Sequence, residues 1–258
     1  MGTGKLSILK GSLAVKLWAC FCYPLALFVG YFIWHDNVQA AELEKPIQYE
    51  ITPYLWAASF SGTTAAQGEE SPPIDSDYSF FALDNLDGVA SATFSARRKQ
   101  WGFLFDYLYV AFEDTFFDAS RLKTTTRLEG NVIEFAGSYK PESMTGLDIV
   151  AGVRYQDIDV ELSIFDKNPH ASVDWYDPFV GVIYAHPFTN KFHMALRGDV
   201  GGGKSDLAVN AEAIFRYQFN KTVSAKFGYR YLKVNFTEAN FVYDVSLDGI
   251  LLGLGIRF

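Results

Sequence analysis

The chain has 258 residues, enough for one domain or for one barrel of about ten strands. With a net charge of −8, nothing favours nucleic acid, whose binding requires a basic face. Aromatics reach 17%, with 23 Phe and 15 Tyr; that excess suits two interfacial girdles, although a soluble β-sandwich can also be aromatic-rich.

The first segment carries Lys5, Lys10 and Lys16, then an apolar run from Leu17 to Trp34, then Val38-Gln39-Ala40-Ala41. A basic start, an apolar core and small residues at the cleavage positions describe a secretory signal peptide, residues 1–41, cut after Ala40 or Ala41. The competing reading is an uncleaved anchor, since the run is long enough to span a bilayer. Cys20 and Cys22 both fall inside this segment, and Trp18 spoils a lipoprotein box around Cys20. Residues 42–258 therefore hold no cysteine, which removes disulfide and thiol chemistry.

In chain order, alternating segments predict strands at 49–61, 88–98, 101–113, 125–139, 146–161, 173–187, 191–200, 206–219, 222–236 and 244–258. This is an all-β pattern, a transmembrane antiparallel up-and-down barrel of about ten strands, with eight as the alternative. Short links at Arg98-Lys99-Gln100, Lys140 to Thr145, Thr189-Asn190 and Asn220-Lys221 alternate with longer ones at 62–87, 114–124, 162–172 and 237–243. Short periplasmic turns and longer external loops are the rule for such barrels; the short Gly201–Ser205 link is the exception.

Parity decides which face meets lipid. On 191–200, Phe192, Met194 and Leu196 oppose Arg197 and Asp199; on 206–219, Val209, Ala211, Ala213, Phe215 and Tyr217 oppose Glu212 and Arg216. On 222–236, Phe227, Tyr229 and Tyr231 oppose Lys226 and Arg230. On 244–258, Ile250, Leu252, Leu254, Ile256 and Phe258 oppose three glycines and Arg257. A lipid-facing Arg or Lys costs about 2–4 kcal/mol at mid-membrane, so these charges belong inside. Lys233 and Asp248 break the parity near external strand ends.

On 101–113 both faces are apolar and Asp106 marks the inward one; on 146–161 Arg154 points inward, and lipid contact stops near Tyr155. Arg97, Asp148 and Asp177 join the enclosed set. Mixed charges can line a narrow anion-favouring pore, or pair across strands and plug the lumen. Ten strands leave little more room than side chains fill, which favours the plug.

Three motifs have weaker claims. Gly198 to Ser205 spells a phosphate-binding loop, but period-two residues follow it where a helix is required. Arg197-Gly198-Asp199 spells an adhesion tripeptide, yet parity encloses both charges. The first external loop holds Glu69, Glu70, Asp75, Asp77 and Asp84, which read as solvated charge or as a site for cations bridging lipopolysaccharide phosphates. Residues 79–86 read as a short helix or a strand approach. An omptin-like protease or lipid A-modifying enzyme would need a rim base, and only His170, near Asp157, Asp159, Asp174, Ser163 and Ser172, lies at the right end. No residue pattern points to a cofactor or metal.

Thr52-Pro53-Tyr54-Leu55-Trp56, Leu83-Asp84-Asn85-Leu86-Asp87, Arg197 to Gly202, Gly228-Tyr229-Arg230-Tyr231-Leu232 and Gly253 to Phe258 together resemble a family of uncharacterised proteobacterial outer-membrane β-barrel proteins. The terminal Phe258 resembles the signal read by the bacterial barrel-assembly machinery. The resemblance implies an outer-membrane barrel in contact with lipid and lipopolysaccharide, and no catalytic residue. The expectation is a non-enzymatic surface protein with a charge-filled lumen; a narrow solute pore and a rim-located enzyme are the alternatives.

Overall fold

The computed structural model describes residues 46–66, 74–79, 86–117, 123–164, 170–238 and 241–258. The signal segment 1–41 and the acidic residues Glu69, Glu70 and Asp84 lie outside the described residues. Eleven strands are present: β1 (Gln48–Ala66), β2 (Ile74–Ser79), β3 (Leu86–Arg98), β4 (Trp101–Phe117), β5 (Lys123–Tyr139), β6 (Leu147–Ile164), β7 (His170–Pro187), β8 (Phe192–Gly201), β9 (Leu207–Gln218), β10 (Val223–Glu238) and β11 (Phe241–Arg257).

Each strand from β3 to β11 pairs antiparallel with the next, and β11 pairs with β1 from Glu50↔Arg257 to Ala66↔Phe241. The wall is thus a closed barrel of ten strands. Closure removes the exposed sheet edges that hydrocarbon cannot solvate. The eleventh strand, β2, is an extra: it pairs only with the outer half of β1, from Ser59↔Ser79 to Thr64↔Ile74. β3 holds the other half of that β1 edge, from Gln48↔Arg97 to Pro53↔Ala92. The segment containing β2 was expected to be loop up to Ser79; six residues of it are strand instead.

Links at the end where β1 begins and β11 ends are short. Arg98 and Trp101 are directly paired, so Lys99-Gln100 is a two-residue turn, and Lys99 takes the left-handed φ of 53° that such turns require. At the opposite end the expected long loops are largely absent. β4 runs to Phe117, β6 to Ile164 and β10 to Glu238, so three expected loops contract to residues 118–122, 165–169 and 239–240. The asymmetry resides in strand length. β6 has 18 residues, where about 9–11 cross the hydrocarbon, so roughly half of it stands clear of the membrane.

On the outer wall, Leu55, Ile149, Val180, Val182, Leu196, Phe227, Ile250, Leu252 and Leu254 are all exposed. A soluble protein does not display such a continuous apolar band; a bilayer accepts it. Aromatic pairs edge the band at the periplasmic end: Trp101 with Tyr139 (4.8 Å), Tyr49 with Phe258 (5.8 Å) and Phe188 with Phe192 (5.6 Å). Tyr176 and Tyr229, both exposed, edge it on the other side. These are the two girdles of a membrane barrel.

Candidate functional site: the layered lumen

The lumen is filled in three layers. At the periplasmic mouth, β1 supplies Glu50, and three cations from neighbouring strands converge on its one carboxylate. Arg216 of β9 lies 2.8 Å from Oε1, Lys226 of β10 lies 2.5 Å from the same oxygen, and Arg257 of β11 lies 3.2 Å from Oε2. Lys226 also donates to Thr52 Oγ1 at 2.8 Å. Across the mouth, Arg97 of β3 is paired with Asp148 of β6.

The middle layer is a closed ionic network. Arg154 donates through Nε to Glu134 Oε1 at 2.7 Å and through Nη2 to Asp199 Oδ1 at 2.8 Å; all three side chains have no solvent-accessible surface. Arg197 reaches Glu134 Oε2 at 2.8 Å and Asp199 Oδ2 at 2.8 Å. Arg230 reaches Asp106 at 3.1 Å, Glu134 at 3.2 Å and Glu212 at 3.5 Å, and Asn210 bridges Asp199, Glu212 and Arg230. Tyr54 and Thr93 donate to the two oxygens of Asp106 at 3.0 and 2.7 Å. Arg154 and Arg197 both lie over the Phe179 ring, at 4.9 and 5.4 Å from its centre. Gly152 makes room for that ring: a Cβ there would stand 2.8 Å from Phe179 Cζ.

The outer layer is apolar. Trp56, Leu108, Val132, Ile158, Trp175, Leu232, Val234, Phe236, Tyr243 and Val245 form one buried cluster. Trp175 stacks on Phe236 at 4.6 Å and meets Tyr243 edge-on at 5.7 Å. The expected charge-filled lumen is joined here by an apolar layer above it. Above the ionic layer the inward side chains are those of a soluble core.

The nine charges singled out by parity fall into two groups. Asp106, Arg154, Arg197, Asp199, Glu212 and Arg230 belong to the middle network, and Arg216, Lys226 and Arg257 to the mouth. Glu50 and Glu134, the hubs of the two groups, escaped the sequence reading. Parity could have found both: Glu50 lies between Tyr49 and Ile51, and Glu134 between Ile133 and Phe135. Asn210 gives no such signal, because an uncharged amide does not oppose lipid strongly enough to mark a face.

The glycine-rich link between β8 and β9 also resolves chemically. No helix follows it; β9 does. Its Lys204 and Ser205 amides donate to Asp177 Oδ1 at 3.2 and 2.9 Å, and Ser205 Oγ donates to Oδ2 at 2.7 Å. The tip cradles an anion, and that anion is the protein's own carboxylate. At the external rim, Asp157 and Asp174 are directly paired across β6 and β7, and the side chain of Asp174 is exposed. Lys233 pairs with Asp244 at 3.5 Å, and Asp248 accepts from Tyr229, so both parity-breaking charges find polar partners near the external end. The side chains of His170 and Ser163 lie outside the described set. Among the described residues no group of three or more His, Cys, Asp or Glu side chains could hold a metal ion.

These features define the class: a transmembrane β-barrel of the outer-membrane type, in which the start of β1 and the end of β11 mark the periplasmic end. No family model matches the chain, and no curated protein matches its sequence. Solved structures similar to it are outer-membrane barrels. Ail of Yersinia pestis, solved in complex with the heparin analogue sucrose octasulfate, is 10% identical over 83% of this chain and 100% of that one, with a TM-score of 0.40. The outer membrane protease OmpT of Escherichia coli is 7% identical over 85% and 99%, with a TM-score of 0.49. The toluene transporter TodX of Pseudomonas putida is 8% identical over 84% and 90%, with a TM-score of 0.32. An attachment invasion locus protein, a protease and a transporter at such low identity transfer no activity to this chain.

Proposed function

We propose that this is a closed, non-enzymatic outer-membrane barrel that works by binding at its two ends and conducts no solute. The observation that carries the reading is the stack across the lumen: Arg154, Glu134 and Asp199 without accessible surface, and directly beyond them the Trp175–Phe236–Tyr243 cluster. Ion conduction needs a chain of sites that an ion can enter and leave, and an apolar plug over an ionic layer whose side chains are engaged with one another offers none. The outer wall would meet lipid through its apolar band and lipopolysaccharide through the polar strand ends above it. The barrel-assembly machinery would read the last strand before β11 closes on β1, since Phe258 then stacks on Tyr49.

Planar-bilayer recording tests this reading: the protein should insert and stay silent. Discrete openings whose ion selectivity changes in Arg197→Glu or Arg230→Glu would replace it with a pore. Peptide or lipid turnover that disappears in His170→Ala would replace it with an enzyme.

A further inference from the structure

Below the ionic network, on the periplasmic side, the lumen opens into a blind cavity of about 310 Å³. That is at the small end of the range for ligand sites. Arg197, Arg216, Lys226 and Arg230 line the cavity with Asp106 and Glu212, and since Arg197 and Arg230 are also held by Glu134, the excess of cations lies at Arg216 and Lys226. His193 and Thr52 add further polar groups. Asp106 is already engaged by Tyr54, Thr93 and Arg230, and Glu212 by Arg197, Arg230 and Asn210. Glu50, at the mouth, is not among the lining residues and serves Arg216, Lys226 and Arg257 at once, so one carboxylate stands against three cations, a local excess of two positive charges. Arg216, which lines the cavity, keeps about a third of its side chain exposed.

Half-buried cations in excess over carboxylates are costly unless an anion joins them. Charge-assisted contacts from guanidinium and ammonium groups favour a multivalent oxyanion. We propose that this vestibule is a binding site for a small soluble oxyanion of the phosphate class, taken up from the periplasm, with Arg216 and Lys226 as its main ligands and His193 and Thr52 as further contacts. A lipid phosphate does not fit the placement, since the lining side chains lie inside the barrel wall. The site needs no open pore above it.

Titration calorimetry of pyrophosphate into the detergent-solubilised full barrel tests the assignment. Binding should be saturable at one site per chain and absent with equimolar chloride. Arg216→Gln with Lys226→Gln should weaken it about tenfold or more. Should that pair fail to fold, as judged by far-ultraviolet circular dichroism, Glu50→Gln decides alone: removing the competing carboxylate should tighten binding several-fold. Absent binding, unchanged affinity in the double glutamine variant, or weakening in Glu50→Gln would each overturn the proposal. So would loss of pyrophosphate binding when bilayers of neutral lipid are exchanged for phosphatidylglycerol, which would assign the charge to a headgroup. A conducting barrel that still binds would refute only the closed reading, and a silent one that does not bind would refute only this site.

Discussion

The membrane belt and the external collar of this barrel use the same strands with opposite chemistry. β6 shows the change along a single element. Through the belt, Ile149, Ala151, Val153 and Tyr155 point outward and Asp148 and Arg154 inward; beyond it, Asp157 and Asp159 share the outward parity and Ile158 turns into the apolar cluster. β10 repeats this: Phe227 and Tyr229 outside against Lys226 and Arg230 inside, then Lys233 outside against Leu232, Val234 and Phe236 inside. The parity never shifts; the solvent does. In hydrocarbon the wall must be oily and can enclose charge, whereas in water the wall must be polar and the enclosed side chains supply a core. This double demand also pins the register. A one-residue slip exchanges the faces of a whole strand, and here it would put charge into lipid and core residues into water together.

Two deletions separate the layers most sharply. Glu134→Ala leaves Arg154, Arg197 and Arg230 facing one another without their shared carboxylate, which should cost about 3–5 kcal/mol. Trp175→Ala empties the collar core and should cost a similar ~3–5 kcal/mol. Urea unfolding in detergent, followed by circular dichroism, measures both. If the outer layer were merely a folded-over rim without structural weight, Trp175→Ala would leave the midpoint unmoved. The outward faces should respond next. Leu252→Arg puts a cation into the middle of the belt and should cost about 2–4 kcal/mol, while Asn235→Arg on the collar should stay within about 0.5 kcal/mol. Equal costs would mean that both positions face the same solvent.

The belt is legible in the sequence because lipid is intolerant. Arg197, Glu212, Arg216, Lys226, Arg230 and Arg257 each interrupt a run of outward apolar residues, and each interruption names a face. The ten strands follow from the same alternation, and all ten are present. The collar is harder to see for the same reason. Past Tyr155, outward Asp157 and Asp159 resemble the onset of a loop, although the strand continues to Ile164. The inward Trp175, Phe236 and Tyr243 resemble girdle residues until pairing brings them to one point from three strands. The two hubs, Glu50 and Glu134, sit on strands whose other inward residues are mostly uncharged, so a count of charges per face passes over them. β2 lies within the long link expected at 62–87, yet six of those residues, Ile74–Ser79, form a strand.

The smallest effect tests the boundary most finely. Lys233 and Asp244 face each other across β10 and β11 on the outer wall, 3.5 Å apart, with 39% and 46% of their side chains exposed. If the collar stands in water, this pair is a screened surface contact worth about 0–1 kcal/mol, and Asp244→Asn should barely move the urea midpoint. Added salt should erase what difference remains, because exposed charges are screened over about 10 Å at 0.1 M. If the belt instead reached this height, Asp244→Asn would strand Lys233 in hydrocarbon. The loss would then approach the ~2–4 kcal/mol expected for a lipid-facing lysine and would not respond to salt. The height at which Asp244 sits would then belong to the membrane, and the collar would have to begin beyond it.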